Sequence, residues 1–305
     1  MLAKILPRLK VVVLDDDPTG SQTVHSCPLL LRSDFETLRT GLAHSSPLLF
    51  VLTNTRALAP AAAAERLRVI CKQLSLALDA AQVAGDFDQW LVVSRGDSTL
   101  RSHFPLEAEL IAAELGPFDA SFLVPAFLPG GRTTSGGVHH LHGLPVHTTP
   151  FAADRLFGYS YSYLPAWIEE KSGGRIAAAA VQLLGLVELE GDLSCLCRRL
   201  AGLHSQAWVV VDAESPQHLA ALGSAVRELT APSAAECWGA PRRFFFQSAA
   251  SLLNGLVEIG EQPLGSRDLV ALRRRRRDGE PLRGLVLVGS HVPLADAQLA
   301  SLLAE

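Results

Sequence analysis

The chain has 305 residues, of which 48% are hydrophobic and 19% charged. That supplies a large core, rules out wholesale disorder, and suggests two domains or one large α/β domain. The net charge of −4 and five scattered cysteines (Cys27, Cys71, Cys195, Cys197 and Cys237) argue against a nucleic-acid binder and against a disulfide framework, and fit a reducing, cytoplasmic setting. No membrane partner is expected. The longest apolar stretch, 176–189, carries Gln182, Gly185 and Glu188 and falls short of the roughly 20 apolar residues of a span.

The apolar run at 11–14 reads as a buried strand, too short for a signal-peptide core, and ends in Asp15-Asp16-Asp17-Pro18-Thr19-Gly20. A second strand at 48–52 ends in Thr53-Asn54-Thr55-Arg56. Residues 60–85 form the clearest helix, with Pro60 near its start, Gly85 past its end, and a stripe of Leu67, Ile70, Cys71, Leu74 and Leu78 at helical spacing. A third strand at 90–93 runs into Ser94-Arg95-Gly96-Asp97-Ser98-Thr99-Leu100-Arg101. A helix over 105–115 and a fourth strand at 121–124 lead to Pro125-Ala126-Phe127 and Gly130-Gly131-Arg132. The stretch from there to about Gly174 is weakly periodic and reads as a functional excursion over the sheet. Alternation resumes at 208–211, the helix after Pro216, and 244–246. A last strand is expected at 285–288, then Gly289-Ser290 and a helix from Pro293.

Strands alternating with helices imply a Rossmann-like parallel sheet covered on both faces, with ligands bound beyond the carboxyl ends of the strands. Four strand ends carry Asp, Asn, Arg, Ser, Thr and Gly, and loops on one sheet edge converge. The three aspartates suit a cation, polyol hydroxyls, or a base that accepts a hydroxyl proton; the bland reading is a solvated acidic turn. Arg95, Asp97, Ser98 and Arg101 suit a small hydroxy acid, because arginine pairs bidentately with carboxylates; the bland reading is a salt bridge that ties the loop down. Gly130, Gly131 and Arg132 offer backbone amides and a guanidinium to an anion, or form a plain turn. His139, His140 and His142 lack a neighbouring cysteine or acid at zinc spacing. Cys195 and Cys197 read as ordinary thiols, and the run Arg273–Arg277 as a solvated linker. Gly289 and Ser290, between a strand and a helix, are placed to offer amides to a phosphate.

These motifs together resemble the four-carbon acid sugar kinase family, the ATP-dependent kinases of threonate, erythronate and related tetronates. The resemblance runs in order through residues 15–24, 52–58 and 94–101, Pro125-Ala126-Phe127, Gly130-Gly131-Arg132, Phe157-Gly158-Tyr159, Glu169-Glu170-Lys171, Ser248-Ala249-Ala250-Ser251 and Val288-Gly289-Ser290. It implies a sugar-acid domain, expected over 1–240, followed over 241–305 by a linker and the opening of a nucleotide domain. It also implies a sugar acid and Mg-ATP as substrates. By the family's pattern Asp16 and Asp17 are the catalytic pair. Arg95, Asp97, Ser98, Arg101, Gly131 and Arg132 fall on the substrate side, and Gly289 and Ser290 on the nucleotide side. Ser102 stands where the family usually has glycine, and Gln247 replaces an expected arginine or threonine. The family's later glycine-rich segments are not in these residues. The expectation is therefore a chain that binds a sugar acid, turns over ATP poorly by itself, and associates with another copy or a C-terminal portion.

A rival class competes at the first loop. Asp15-x-Asp17-x-Thr19 also fits the first motif of haloacid dehalogenase-like phosphatases, with Asp15 as nucleophile and Asp17 as acid/base. Thr53-Asn54 resembles their second motif, but nothing beyond about residue 100 fits. A third reading is a non-catalytic sugar-acid-binding protein.

Overall fold

A computed structural model describes residues 8–288 and 293–304, in two compact units that divide between Ile259 and Gly260. The strands of the first unit are β1 (Leu9–Asp15), β2 (Leu29–Leu30), β3 (Leu48–Leu52), β4 (Gln89–Arg95), β5 (Ala120–Val124), β6 (Arg132–Ser135), β7 (Val138–Leu141), β8 (Leu144–Pro145), β9 (Gln182–Leu184), β10 (Ala207–Val211) and β11 (Phe244–Ser248). Its helices are α1 (Phe35–Ala43), α2 (Pro60–Val83), α3 (Leu106–Leu115), α4 (Leu164–Lys171), α5 (Leu186–Glu190), α6 (Leu193–Ala201), α7 (Pro216–Thr230), α8 (Ala234–Trp238) and α9 (Leu252–Leu256). Eight strands form one parallel sheet in the order β2-β3-β1-β4-β11-β5-β10-β9, and β6-β7-β8 form a separate antiparallel sheet.

The strands are apolar on both faces because both faces are covered. Val11 and Val13 enter one core, shared with α5, α6, α7 and α9, whereas Val12 and Leu14 enter another, shared with α1, α2 and α3. That is the two-residue period of a strand with a helix layer on each side. In α2 the stripe Leu67, Ile70, Cys71, Leu74 and Leu78 is buried as its spacing predicts. Gly85, at φ +73°, lets the chain leave the helix in the left-handed region.

The expected boundary near 240 is displaced to 259 by β11. Phe244 and Phe246 fill the core under α7 and α9, and Phe245 fills the opposite one against Phe118. Each fully buried phenylalanine contributes about 1.5–3 kcal/mol, so this strand belongs to the sheet and cannot open a second domain. The excursion at 132–174 is more ordered than its sequence predicts. It holds β6-β7-β8, short 3-10 turns and α4, whose Trp167 and Ile168 pack with Leu123 and Val210 of the sheet.

The second unit, described by itself, contains α10 (Ser266–Ala271), α11 (Pro293–Ala304) and an isolated bridge between Arg275 and Pro281. The strand expected at 285–288 is not formed among the described residues, and Leu285 and Leu287 are exposed. Gly289 and Ser290 lie outside the described residues. No helix among the described residues is long and apolar enough to cross a membrane.

Candidate active site at the carboxyl edge of the sheet

Parallel register sets Leu52, Asp15, Arg95, Ser248 and Val124 side by side at the ends of β3, β1, β4, β11 and β5. The expected loops therefore share one edge, with Ser248-Ala249-Ala250-Ser251 inserted between the third and fourth. Backbone hydrogen bonds tie neighbouring loops: Thr53 N donates to Asp15 O at 2.8 Å, Arg56 N to Asp16 O at 3.2 Å, and Gly96 N to Ser248 O at 2.8 Å.

The three aspartates occupy three environments. Asp15 is fully buried (0% exposed) and neither of its carboxylate oxygens has a hydrogen-bond partner among the described residues. Burial pushes its carboxyl up to about 7 against the pull of Arg95, whose Nη1 lies 3.5 Å away. A Cβ on Gly20 would overlap both Asp15 oxygens, so the loop backbone covers this carboxylate. That closes the face an aspartyl-phosphate nucleophile needs, and with it the phosphatase scheme.

Asp16 (2% exposed) receives Arg56 bidentately, Nε to Oδ2 at 3.0 Å and Nη2 to Oδ1 at 2.5 Å, and Arg95 Nη1 stands 3.5 Å from Oδ1. Burial raises its pKa against these two guanidinium groups. Asp17 is the accessible one. Partial burial raises its pKa, but hydrogen bonds from Thr19 Oγ1 (2.5 Å) and Thr19 N (2.9 Å), with Arg56 Nη1 at 3.5 Å, outweigh that and hold it below the usual carboxylate range.

The trio is thus neither solvated nor unneutralised, because cations arrive from the two neighbouring strands. Arg56 was missed by sequence reasoning as a site residue; three adjacent acids beside an arginine-ending loop were the available signal. Arg95 corrects the opposite way. Its side chain turns inward among the acids, with Nε unpartnered and buried, so it serves as their counter-ion and is not placed to hold a ligand carboxylate.

The loop after β4 is built differently. Arg101 Nε donates to Asp97 Oδ2 at 2.7 Å and to Thr99 Oγ1 at 3.1 Å, and its guanidinium lies 4.8 Å from the Phe151 ring centroid. Its two terminal nitrogens have no acceptor among the described residues. Burial raises the pKa of Asp97, but Arg101, the Thr99 hydroxyl and Arg56 prevail and hold it low. Leu100 adopts φ +66°, a strained conformation for a branched side chain, and the excursion braces it. Tyr159 Oη donates to Thr99 O at 2.8 Å, and His139 Nε2 to Ser98 O at 2.8 Å. Thr134 Oγ1 contacts the other His139 nitrogen at 2.9 Å, and burial holds this imidazole down at about 4, hence neutral. His139 is a strut of the loop, and Ser98 offers only its half-buried hydroxyl.

Gly130 and Gly131 do not present amides to an anion, since their N–H groups close a turn on Phe127 O and Leu128 O at 3.0 Å each. Gly131, at φ +68°, is packed under His142. Arg132 follows with Nη1 on Gly130 O at 2.5 Å and Nε buried without a partner. Burial lowers its pKa, with Asp97 and Arg101 as its electrostatic neighbours. The structure therefore brings Asp16, Asp17, Asp97, Arg101 and Arg132 to one edge. Behind them Thr55 Oγ1 donates to Glu107 Oε1 at 2.5 Å, and burial beside Asp16 pushes Glu107 up to about 7.

Among known proteins, the model of a sugar-binding N-terminal domain matches residues 11–256. A D-erythronate kinase of Heliobacterium modesticaldum is 30% identical over 152 residues, 47% of this chain and 32% of that enzyme. A Bordetella bronchiseptica domain of unknown function, solved with bound citrate as a domain-swapped dimer, has a TM-score of 0.57 at 23% identity, covering 82% of this chain and 55% of that one. A Haemophilus influenzae protein gives 0.51 at 14% identity, covering 79% and 54%. The chain thus spans about a third of the curated kinase and about half of these solved structures. The solved structures share the fold. The match across the whole sheet and its edge loops places this chain in the four-carbon acid sugar kinase family, through its sugar-binding N-terminal domain.

Proposed function

We propose that the chain is the sugar-acid-binding part of an ATP-dependent kinase that phosphorylates the terminal hydroxyl of a four-carbon sugar acid. The observation that carries this reading is the contrast along one sheet edge. A carboxylate pair fixed by Arg56 stands beside two guanidinium groups, of Arg101 and Arg132, that the protein only half occupies. Phosphoryl transfer asks little covalent chemistry of the protein; it asks that the acceptor hydroxyl be placed and charge stabilised. Arg101, with Nε held by Asp97, directs its terminal nitrogens at the substrate carboxylate, a bidentate geometry suited to a planar acid. Arg132 supports the same carboxylate. Asp17, ionised and the most accessible of the trio, accepts the hydrogen bond of the attacking hydroxyl, while Asp16 holds the Arg56 that positions it.

In this reading Mg-ATP is the phosphoryl donor, Gly289 and Ser290 are its contacts by family resemblance alone, and the metal would neutralise phosphate charge when bound. Among the described residues no three carboxylate, imidazole or thiolate groups cluster as a metal site, and Asp16 is already closed by Arg56, so the residues present suit a metal that arrives with the nucleotide.

The test is ADP release from Mg-ATP with D-erythronate, L-threonate or neither added. Acid-dependent release that Asp17→Ala removes and Asp15→Asn largely keeps supports the reading. A phosphoryl group trapped on Asp15 would overturn it in favour of a phosphatase. Saturable acid binding without acid-dependent release would leave a sugar-acid sensor.

A further inference from the structure

Arg101 is fixed at its stem, where Nε donates to Asp97 Oδ2 and Thr99 Oγ1. A guanidinium held at Nε alone can still turn its plane about that contact, and the plane decides where the two terminal nitrogens aim. A second contact sets the plane. Phe151, in a 3-10 turn over Pro150–Ala153, lies under the guanidinium with its ring centroid 4.8 Å from the central carbon. That is inside the roughly 6 Å over which a ring face attracts a cation. The pair is only partly wet, since Arg101 is 29% exposed and Phe151 is half-buried.

The ring is held in place by a residue that also holds the Arg101 loop. Tyr159 N donates to Ala152 O at 3.1 Å, next to Phe151, while Tyr159 Oη donates to Thr99 O at 2.8 Å. One tyrosine thus spans the two segments and fixes the distance between ring and guanidinium. Thr149 Oγ1 closes the turn from the other side on Val146 O at 2.7 Å. Two residues beyond Ala152, Asp154 Oδ1 accepts Leu156 N and Phe157 N at 2.9 Å each. The turn that carries Phe151 is therefore tied down independently of Arg101.

Arg132 shows what the alternative would cost. Its guanidinium also lies near a ring, 5.7 Å from the Phe127 centroid, but Nη1 is spent on Gly130 O at 2.5 Å. A hydrogen bond orients a guanidinium by consuming one of its five N–H donors; a ring face orients it and consumes none. Phe151 is the contact that fixes Arg101 and leaves both terminal nitrogens for a ligand. Fixing the side chain beforehand also spares the bound state the loss of rotamer freedom that a long cation otherwise suffers.

We infer that Phe151 is a positioning residue of the sugar-acid site, whose ring sets the plane of the Arg101 guanidinium for a carboxylate. The excursion at 132–174 then belongs to the site itself: His139 and Tyr159 hold the loop's backbone, and Phe151 holds its side chain. The inference rests on the sugar-acid reading and deepens it.

The test is a double-mutant cycle read by calorimetric titration of D-erythronate into the parent chain, Phe151→Leu, Arg101→Ala and the two combined. Phe151→Tyr is added as the variant that keeps a ring face, and leucine keeps apolar bulk at a half-buried position. Phe151→Leu is expected to weaken the acid about three- to tenfold, and Phe151→Tyr to stay within about twofold of the parent. On the Arg101→Ala background the same Phe151→Leu change should alter affinity by less than about twofold, because no guanidinium remains to be oriented. Parent affinity in Phe151→Leu would overturn the inference while the sugar-acid reading stands. So would an equal loss on the Arg101→Ala background, or a Phe151→Tyr as weak as Phe151→Leu, since either makes the position one of packing alone. Binding by Arg101→Ala as tight as the parent's, or no binding by the parent, would overturn the carboxylate reading and the inference together.

Discussion

The loops after β1 and β4 look alike as strings of acids, hydroxyls and nearby arginines, yet they are wired in opposite ways. Around Asp15, Asp16 and Asp17 the cations point inward. Arg56 grips Asp16 and touches Asp17, and Arg95 is sunk between Asp15 and Asp16. Around Asp97 the contacts of Arg101 Nε with Asp97 and Thr99 fix the arginine's stem, and its outer nitrogens have no acceptor among the described residues. The same residue types therefore build a rigid acidic platform in one loop and a cationic hand in the other. What separates a structural ion pair from a binding group is which end of the guanidinium the protein occupies.

This comparison breaks most visibly at Arg56. Arg56→Ala leaves the buried Asp16 with only the more distant Arg95, and loss of one partner of a buried pair costs about 3–5 kcal/mol. Urea unfolding should show a drop of that size; a change under 1 kcal/mol would mean that the platform is not held as described.

A second prediction concerns pH and the acid behind the platform. Burial raises Glu107 from its ordinary 4.5 to about 7, so the folded chain binds this proton more tightly than the unfolded one. Its contribution is full below about pH 4.5 and is lost as pH rises through about 7, up to about 3 kcal/mol. Glu107→Gln, which keeps an acceptor for Thr55, should reduce the slope of the stability profile between those values and leave the share that Asp15 contributes over the same range. An unchanged profile would place the titration elsewhere.

On the cationic side the effect should fall on ligand and not on folding. Arg101→Ala is expected to weaken tetronate binding by about 2 kcal/mol, some thirtyfold. Loss of its partly buried pairing with Asp97 should cost the fold about 1 kcal/mol, less than the ligand loses. The smallest effect belongs to the brace. Tyr159→Phe removes one hydrogen bond to Thr99 O, expected to lower stability by about 0.5–1.5 kcal/mol and to loosen the Arg101 loop, read as faster amide exchange at residues 98–101. Unaltered exchange would show that the loop holds itself.

Much of the sheet was legible because its strands are short apolar runs that end in polar clusters, as at Val11–Val13 and Phe122–Val124. The position of β11 was not, since sheet order depends on pairing between residues far apart in sequence. Its Phe244-Phe245-Phe246 run reads as a strand anywhere, and only the two cores show that it belongs between β4 and β5. The hairpin β6-β7-β8 escaped because its strands are two to four residues long and turn through Gly136, Gly137, His142 and Gly143, all at positive φ. At the site, residue types and loops were readable but side-chain direction was not. Arg95 and Arg101 stand in one motif, yet strand register turns the first into the platform and a positive-φ Leu100 swings the second out.

The most direct test of the central claim, that this sheet edge holds a sugar acid by its carboxylate, is calorimetric titration of D-erythronate into the parent chain, Arg101→Ala and Asp15→Asn. Saturable one-to-one binding that falls about thirtyfold in Arg101→Ala and persists in Asp15→Asn is the predicted result. Equal affinity in parent and Arg101→Ala, or loss confined to Asp15→Asn, would contradict it.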